Sequence, residues 1–393
     1  MKKGVIFGAG SIGRGLLGQI FIQSGLEVVF VDIDRRVVDL INQRRSYTIT
    51  TVFNEIEDTI VLSGVKALLS TDEKGLAEAL READVVATAV GAGNLIHISP
   101  MIAQGLRERF AGGNDVPVDI LLCENLMHAP DIFRSYVDGH KLLTRDQLDR
   151  VGFVDTSVGR MVPLATEESK QNDPLHVYTE PYCKLQVDRN ALKGATEQLI
   201  GVEAFAPFNF YKKRKLFVHN LGHSVASYWG ALYGLEYIWQ CMENDEIFGH
   251  TREAMLASAR ALAQRYTVED AALSDYVSDL LERFYNKPLL DTVARGCRSP
   301  LRKLTPDDRF IGAVRSCTDE TIACDSLLKS VAVALLYRGA QDAEACAMAE
   351  MIGQLGVEGF LEHHCGLLPE EAKQCSLYYK GLQDLEFDMT SAL

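Results

Sequence analysis

The sequence predicts an α/β fold in its first half and a mostly α-helical fold in its second half. In the first half, apolar runs typical of buried parallel strands alternate with amphipathic helical segments, at 4–7, 27–32, 83–90 and 118–123. From about residue 211 onward, helical periodicity dominates and strand candidates are few. A chain of 393 residues is longer than one hydrophobic core usually serves, so we expect two domains, 1–195 and 196–393.

A glycine-rich turn follows the first predicted strand. Gly8, Gly10 and Gly13 have the spacing G-x-G-x-x-G, and an amphipathic helix begins directly after them. The second strand ends at Asp32, 19 positions beyond Gly13. Gly8 permits the tight turn, Gly10 lets a pyrophosphate approach the backbone, and Gly13 lets the helix pack closely on the strand. A glycine turn without a ligand would not need these flanking elements, so the pattern predicts a Rossmann domain that binds a dinucleotide.

The acidic residue at the end of the second strand favours NAD. The Asp32 carboxylate would accept the ribose hydroxyls and repel a 2′-phosphate, although Arg35 and Arg36 follow closely and could instead accept NADP. We expect NAD to be held by the glycine turn, by Asp32 and by the end of a third strand. The residues expected to bind the cofactor are Gly8, Gly10, Ser11, Ile12, Gly13, Asp32, Val90 and Gly91.

Two further patterns extend this domain. Asn125 follows the strand at 118–123, and ligands collect at the carboxyl ends of parallel strands, so Asn125 is either a site residue or a turn residue. Between residues 151 and 190 the pattern is strand-like and polar. We expect these segments to add strands to the sheet, and therefore an extended sheet.

Charge and cysteine usage restrict the partners and the compartment. A formal charge of −14 repels phosphate backbones and argues against nucleic acid. No apolar stretch reaches the roughly 20 residues that span a bilayer, so we expect no membrane partner. The nine cysteines are scattered without a CxxC pair, which indicates reduced thiols, a cytoplasmic protein and no metal site. We expect a small-molecule substrate and a monomer or homodimer.

Polar residues interrupt an apolar helical segment in the second half. At about 100° per residue, Lys215, His223 and Asn220 fall at about 0°, 80° and 140°, on one broad face. His219 falls near 40° on that face, so periodicity does not choose between the two histidines. A metal-free alcohol dehydrogenase needs a base and oxyanion donors, and neighbouring cations would lower the pKa of Lys215. The alternative is a solvated basic helix start with hydrogen-bonded core histidines.

The array Lys215-x4-Asn220-x2-His223 resembles the signature of the polyol-specific long-chain dehydrogenases. Similar segments cover nearly the whole chain and look like the branch of that family that acts on a polyol phosphate. These segments are FGAGSIGRGLLGQI at 7–20, CENL at 123–126, GFVDTSVGRMVP at 152–163, NDPL at 172–175, RKLFVHNLGH at 214–223 and SPLRKLTPDDRFI at 299–311.

The resemblance implies interconversion of D-mannitol 1-phosphate and D-fructose 6-phosphate, with metal-independent hydride transfer to and from NAD. It implies that Lys215 is the general base in alcohol oxidation and the general acid in the reverse direction. It also implies that Asn220 and Asn125 hold the reacting oxygen, and that His223 orients the substrate. For the phosphate, the densest basic stretch after the segment that contains Lys215 offers Arg298 and Lys303, with Arg302 a weaker candidate; the alternative for each is a solvated basic loop.

One residue departs from the family pattern. Gly159, next to Arg160, stands where relatives usually carry an aspartate thought to lie near the substrate. This departure leaves open a related polyol or hexuronate as the substrate. It also leaves open an NAD-binding relative that has lost catalysis and acts in regulation, although Lys215, Asn220 and His223 argue against that reading.

Overall fold

The computed structural model describes residues 2–163, 173–339 and 341–390, with side chains described as far as residue 383. Of the sequence segments singled out above, Asn172 of NDPL lies outside these residues. The chain divides into two compact units, Met1–Asn209 and Phe210–Leu393. The sequence predicts a boundary between residues 195 and 196, and the division between Asn209 and Phe210 leaves the strand Val202–Phe205 in the first unit.

The first unit is an α/β domain built on an eight-stranded sheet, which confirms the predicted Rossmann domain with an extended sheet. The strand order across the sheet is β11-β10-β8-β7-β6-β1-β2-β5. In chain order the strands of the unit are β1 Lys3–Phe7, β2 Glu27–Asp32, β3 Ser46–Phe53, β4 Ile56–Ser63, β5 Val65–Leu69, β6 Val85–Thr88, β7 Val118–Leu122, β8 Val151–Val158, β9 Val177–Thr179, β10 Leu185–Asp188 and β11 Val202–Phe205.

The polar strands after residue 151 divide between two sheets. β8 pairs in parallel with β7 and β10 pairs antiparallel with β8, so both extend the main sheet as the sequence predicts. β9 instead pairs with β3, in a separate three-stranded sheet of order β4-β3-β9. The expectation that all strand-like segments of 151–190 extend one sheet is therefore wrong for β9. Its partner β3 lies more than a hundred residues away in sequence, and the alternation of residues along a strand does not show which strand it pairs with.

Helices cover both faces of the main sheet. In the first unit they are α1 Gln19–Gln23, which continues the π-helical turn Gly13–Gly18, α2 Arg35–Arg44, α3 Glu73–Glu82, α4 Leu95–Ala111, α5 Ala129–Gly139 and α6 Arg145–Leu148. Successive strand residues alternate between two cores, Ile6 and Phe30 in one and Val5 and Phe7 in the other. Burial on both faces explains why these strands are continuous apolar runs without polar alternation.

A buried carboxylate fastens a loop to the middle of the sheet. Asp119, in the interior of β7, is fully buried and accepts hydrogen bonds from the Lys193 and Gly194 amides at 2.7 and 2.9 Å. It also accepts one from Thr196 Oγ1 at 2.6 Å. These three bonds hold the 193–196 loop, which leads to β11, against the middle of the sheet.

The second unit is helical, as the sequence predicts. Its helices are α7 Asn209–Arg214, α8 Leu221–Leu232, α9 Ile238–Glu243, α10 Asp245–Tyr266, α11 Asp270–Phe284, α12 Val293–Cys297, α13 Pro300–Lys303, α14 Ile311–Asp319, α15 Asp325–Leu336, α16 Ala343–Phe360 and α17 Pro369–Thr390. A π-helical turn, Lys215–Asn220, joins α7 to α8, and a second, Leu361–Cys365, follows α16. Most of α8 is buried, and α9, α10, α12 and α15 pack against it. In the part of the chain that the structure describes, no helix is long and apolar enough to cross a membrane.

Replacement of Asp119 by alanine is expected to lower the free energy of unfolding by about 3 kcal/mol, because three donors in the 193–196 loop lose their acceptor. Urea unfolding of the two proteins measures the difference. The control is Asp115→Ala, which removes an exposed carboxylate 3.6 Å from Arg150 and should change the free energy by less than about 0.5 kcal/mol. Equal effects of the two substitutions would contradict the anchoring role of Asp119.

Candidate functional site

The glycine turn has the geometry that its spacing predicts. Gly8 has φ +98°, and its amide donates to the Val31 carbonyl oxygen at 2.8 Å, which joins the end of β1 to β2. A side chain on Gly13 would run into the Gly8 carbonyl oxygen, so the helix can approach the turn only at a glycine. A Cβ on Gly10 would meet no atom of the described residues within 4 Å, which leaves the face above the turn open for a ligand.

Asp32 is oriented by the backbone around it. Its Oδ2 accepts from the Ala9 amide at 2.7 Å and its Oδ1 from the Asp34 amide at 2.9 Å. The carboxylate is therefore held at the glycine turn, with lone pairs left for further donors. Arg35 and Arg36 are both exposed at the start of α2. These groups fit a dinucleotide: an open glycine face for the phosphates and a fixed carboxylate for a ribose.

Sequence reasoning missed a buried acid that shapes the next part of this unit. Glu124 follows β7, accepts from Thr88 Oγ1 at 2.6 Å and from the Val90 amide at 3.0 Å, and is buried. Burial raises the pKa of its carboxyl. Glu124 thereby ties the end of β6 to the end of β7 and fixes the turn at Gly91, where φ is +89°. The sequence contained a signal for this role, because an acidic residue directly after a fully apolar strand needs hydrogen-bond partners when it is buried.

Asn125 follows Glu124 and is exposed at the carboxyl end of β7. In the first unit the structure therefore brings together the ends of β1, β2, β6 and β7, where Gly8, Asp32, Gly91 and Asn125 lie. Ligands bind at this edge of open parallel sheets.

The departure at Gly159 has a structural counterpart. A Cβ at this position would lie 3.0 Å from the ring of Tyr182, so that ring occupies the space a side chain would need. The neighbouring Arg160 is buried and donates to the Gly15 carbonyl oxygen and to Gln19 Oε1, both at 2.6 Å. Arg160 thus fastens this segment to the first helix, and an aspartate at 159 would require Tyr182 to move.

In the second unit the array of Lys215, Asn220 and His223 begins in a π-helical turn. The turn comprises Lys215–Asn220, and α8 continues from it through His223. Residues five apart share a face where hydrogen bonds run from i to i+5, so Lys215 and Asn220 are closer in direction than the regular helix predicts. The angle of about 140° between them, taken from 100° per residue, is therefore wrong. Single π-helical turns within helices occur frequently at functional sites.

The two histidines of the motif differ in their environments. His219 is buried, and its Nδ1 has no hydrogen-bond partner among the described residues. Burial, together with the nearby charges of Arg283 and Lys215, holds the pKa of His219 well below its usual value. His223 instead has its Nε2 2.8 Å from Asp291 Oδ2, and Asp291 is bound in turn by Arg295. The sequence places Arg295 in the basic stretch considered for a phosphate, but it did not reveal Asp291 or its contacts, which lie about seventy residues further along the chain.

The three cations suggested for a phosphate site differ in how far they are buried. Arg298 is exposed, and Arg302 is exposed and paired with Asp308 at 3.0 Å. Lys303 is buried, donates to the Gly296 carbonyl oxygen and lies 5.5 Å from the centre of the Tyr228 ring. Burial, with a further contribution from the charge of Arg309, lowers the pKa of Lys303 to about 7.

No group of three or more histidine, cysteine, aspartate or glutamate side chains that could hold a metal ion occurs among residues 2–163, 173–339 and 341–383.

Comparison with known proteins finds similarity along most of the chain. The Rossmann domain of the mannitol dehydrogenases matches residues 2–201, and the C-terminal domain of the mannitol dehydrogenases matches residues 208–355. A mannitol-1-phosphate 5-dehydrogenase of Caldanaerobacter subterraneus subsp. tengcongensis is 35% identical over 94% of this chain and 95% of its own.

Two solved structures share the fold. One is a mannitol 2-dehydrogenase of Pseudomonas fluorescens in a ternary complex with NAD and D-mannitol, with TM-score 0.79 and 17% identity, covering 100% of this chain and 94% of that one. The other is a D-sorbitol dehydrogenase in substrate-free form, with TM-score 0.80 and 16% identity, covering 98% of this chain and 94% of that one.

The buried lysine predicts a pH dependence of stability. Between pH 7 and its unfolded pKa of about 10.4, the unfolded chain keeps a proton on Lys303 that the folded chain has lost, so the contribution of this lysine rises with pH. The free energy of unfolding of the wild type, minus that of a Lys303→Met variant, is expected to increase between about pH 7 and pH 9. Urea titrations at several pH values measure it.

Lys287→Met, which removes an exposed lysine paired with Glu243, serves as the control and should show no such slope. A difference between wild type and Lys303→Met that stays constant with pH would show that Lys303 remains charged in the folded protein.

Proposed function

Because the chain belongs to the mannitol dehydrogenase family of polyol dehydrogenases, we propose that it interconverts D-mannitol 1-phosphate and D-fructose 6-phosphate with NAD. The assignment of this substrate rests on the 35% identity, over 94% of the chain, to a relative named for this reaction. The departure at Gly159 bears on the substrate too, and favours testing an unphosphorylated polyol or a hexuronate as the alternative.

The first unit would hold the cofactor. Gly10 leaves room for the pyrophosphate at the helix N-terminus, and Asp32 would accept the adenosine ribose hydroxyls and repel a 2′-phosphate. NAD, when bound, supplies or takes up the hydride. We propose that the cofactor contacts are made by Gly8, Gly10, Ser11, Ile12, Gly13, Asp32, Val90 and Gly91.

The second unit would move the proton. As the alcohol carbon gives up its hydride, the hydroxyl proton passes to the neutral amine of Lys215. In ketone reduction the ammonium of Lys215 returns that proton to the oxygen. The amide N–H groups of Asn220 and Asn125 would donate to the oxygen, whose negative charge grows as the proton leaves. His223 would orient the substrate. In this scheme the chain's own donors stabilise the oxyanion, and no metal ion takes part.

A phosphate on the substrate requires a cation that can reach it. Arg298 is exposed and carries a fork of donors suited to phosphate oxygens, so we assign it the direct contact. Lys303 is buried and already donates to Gly296, which suits a contribution by charge better than a direct bond. An anion nearby would favour the protonated form of Lys303.

The substrate is tested by following NADH oxidation with fructose 6-phosphate, fructose, fructuronate and tagaturonate, each also with NADPH. We expect turnover with fructose 6-phosphate and preference for NADH. An Arg298→Ala variant should raise the KM for fructose 6-phosphate with little change in kcat, because Arg298 would bind the phosphate equally well in the substrate and in the transition state. Turnover with another ketose alone would replace the substrate and keep the chemistry. Inactivity with all four, while NADH still binds, would favour a regulatory protein.

Replacement of Lys215 by alanine is expected to lower kcat by about 10²–10⁴-fold, because general acid–base catalysis is lost. Addition of a small primary amine should restore part of the rate, since it supplies the missing group. Lys212→Ala, in the same basic run, is the matched control and should keep near wild-type kcat. Turnover by Lys215→Ala at the wild-type rate would exclude Lys215 as the base.

A further inference from the structure

His223 contacts an ion pair formed by Asp291 and Arg295. Asp291 Oδ2 lies 2.8 Å from His223 Nε2, and the same carboxylate accepts from Arg295 Nε at 2.7 Å and from Arg295 Nη2 at 2.5 Å. Asp291 is 9% exposed, and the His223 side chain is 15% exposed. None of the roles given above for Lys215, Asn220 or Asn125 uses this carboxylate. A buried ionised group needs compensating partners, and Asp291 has two, His223 and Arg295.

We propose that Asp291 is a positioning residue that fixes His223 as the Nε2–H tautomer, so that Nδ1 accepts a hydrogen bond from a substrate hydroxyl. A carboxylate can only accept, so the nitrogen facing it carries the hydrogen. In a neutral imidazole the other nitrogen is then an acceptor. The proposal deepens the proposed function and rests on it for the identity of the hydroxyl donor.

The backbone holds Asp291 in place. The Asp291 carbonyl oxygen accepts from the Ile238 amide at 2.9 Å, and the Glu236 carbonyl oxygen accepts from the Val293 amide at 2.9 Å. The intervening Thr292 forms an isolated antiparallel bridge with Tyr237 and caps α12 through its Oγ1. The carboxylate therefore projects from a short two-stranded contact that begins a helix, and its position is not set by Arg295 alone.

Packing confines the imidazole on two further sides. The Phe284 ring meets it edge to face, with centroids 5.7 Å apart. A Cβ on Gly296 would lie 3.0 Å from His223 Cε1, so the backbone of α12 passes close to the edge between the two nitrogens. This confinement disfavours a turn of the ring that would exchange Nδ1 and Nε2. The tautomer is therefore set by Asp291, and the orientation of its acceptor nitrogen is set by the packing.

The charges around His223 favour the neutral ring. Burial lowers the pKa of His223, Asp291 raises it, and Arg295 and Lys303 lower it further; His219 is a further titratable group that interacts with His223. The result is a pKa below the usual value. Burial favours a neutral Asp291, but the hydrogen bond from His223 and the charge and hydrogen bonds of Arg295 outweigh it and hold the pKa of Asp291 well below its usual range. At neutral pH the pair is thus a carboxylate and a neutral imidazole.

The tautomer can be read directly in the wild-type protein. With ¹⁵N-labelled histidine, and His223 assigned from its loss in His223→Gln, a two-dimensional spectrum correlates the ring carbon-bound protons with each nitrogen. The expected pattern is a protonated Nε2 and an unprotonated Nδ1. A protonated Nδ1 in the wild type, or a doubly protonated ring at neutral pH, would overturn the proposal. This measurement does not depend on which substrate the enzyme uses.

Kinetics then separate positioning from simple stability. In ketone reduction Lys215 is already protonated at low pH, so an acid limb reports protonation of His223 and the loss of its acceptor. Asp291→Asn removes the group that raises the pKa of His223, so the acid limb should move to lower pH, and kcat/KM at neutral pH should fall about 10–100-fold. Titration of the phosphate on fructose 6-phosphate is common to both proteins and does not contribute to the shift.

Two further variants complete the test. Asp291→Glu, which keeps the carboxylate, should recover part of the lost rate. Asp319→Asn, which removes an exposed carboxylate paired with Arg265 in the same unit, should change neither kcat/KM nor the pH of the acid limb. If Asp291→Asn lowers kcat/KM equally at every pH and leaves the acid limb at the same pH, Asp291 has only a structural role and the proposal is overturned. If no ketose phosphate is turned over and the Nε2–H tautomer is nevertheless found, the proposed function fails and the positioning role stands.

Discussion

The close approach of Gly13 to the Gly8 carbonyl oxygen is the contact on which the arrangement of the first unit depends. Any side chain at Gly13 would separate the first helix from the end of β1. With that contact made, the Ala9 amide reaches Asp32 and the Gly8 amide reaches Val31, so the turn, the helix start and the acidic residue form one rigid edge. The face over Gly10 in the same turn is open, since a Cβ there would meet no atom of the described residues within 4 Å.

Buried polar side chains hold together the segments that the strands do not. Glu124 joins β6 to β7, Asp119 holds the loop before β11, and Arg160 fastens the segment after β8 to the first helix. Each makes at least two hydrogen bonds, which offsets the cost of removing a polar group from water. The ends of four strands thereby keep a fixed relation, and the residues proposed to hold the cofactor lie on these ends.

In the second unit the same rule applies to cations. Lys303 and Arg309 are buried, Asp308 pairs with Arg309, and Asp291 pairs with Arg295. Burial, with the charges of Arg309 and Arg302, lowers the pKa of Lys303, and the charge of Asp308 offsets only part of that shift. Because Arg309 and Arg302 act on Lys303, an anion bound beside these cations would favour the protonated form of Lys303.

The sequence by itself determined the elements whose signal is local. The glycine spacing, Asp32 and the apolar strands predict the Rossmann domain, and helical periodicity predicts the second unit, because each pattern depends on neighbours within a turn or a strand. The array of Lys215, Asn220 and His223 was also visible, although the π-helical turn changes its angles. Tertiary structure decided the pairing of β9 with β3, the role of Glu124 and the contact of Asp291 with His223. These depend on residues brought together by packing over long sequence distances, and the burial and partners of a side chain are properties of the folded chain.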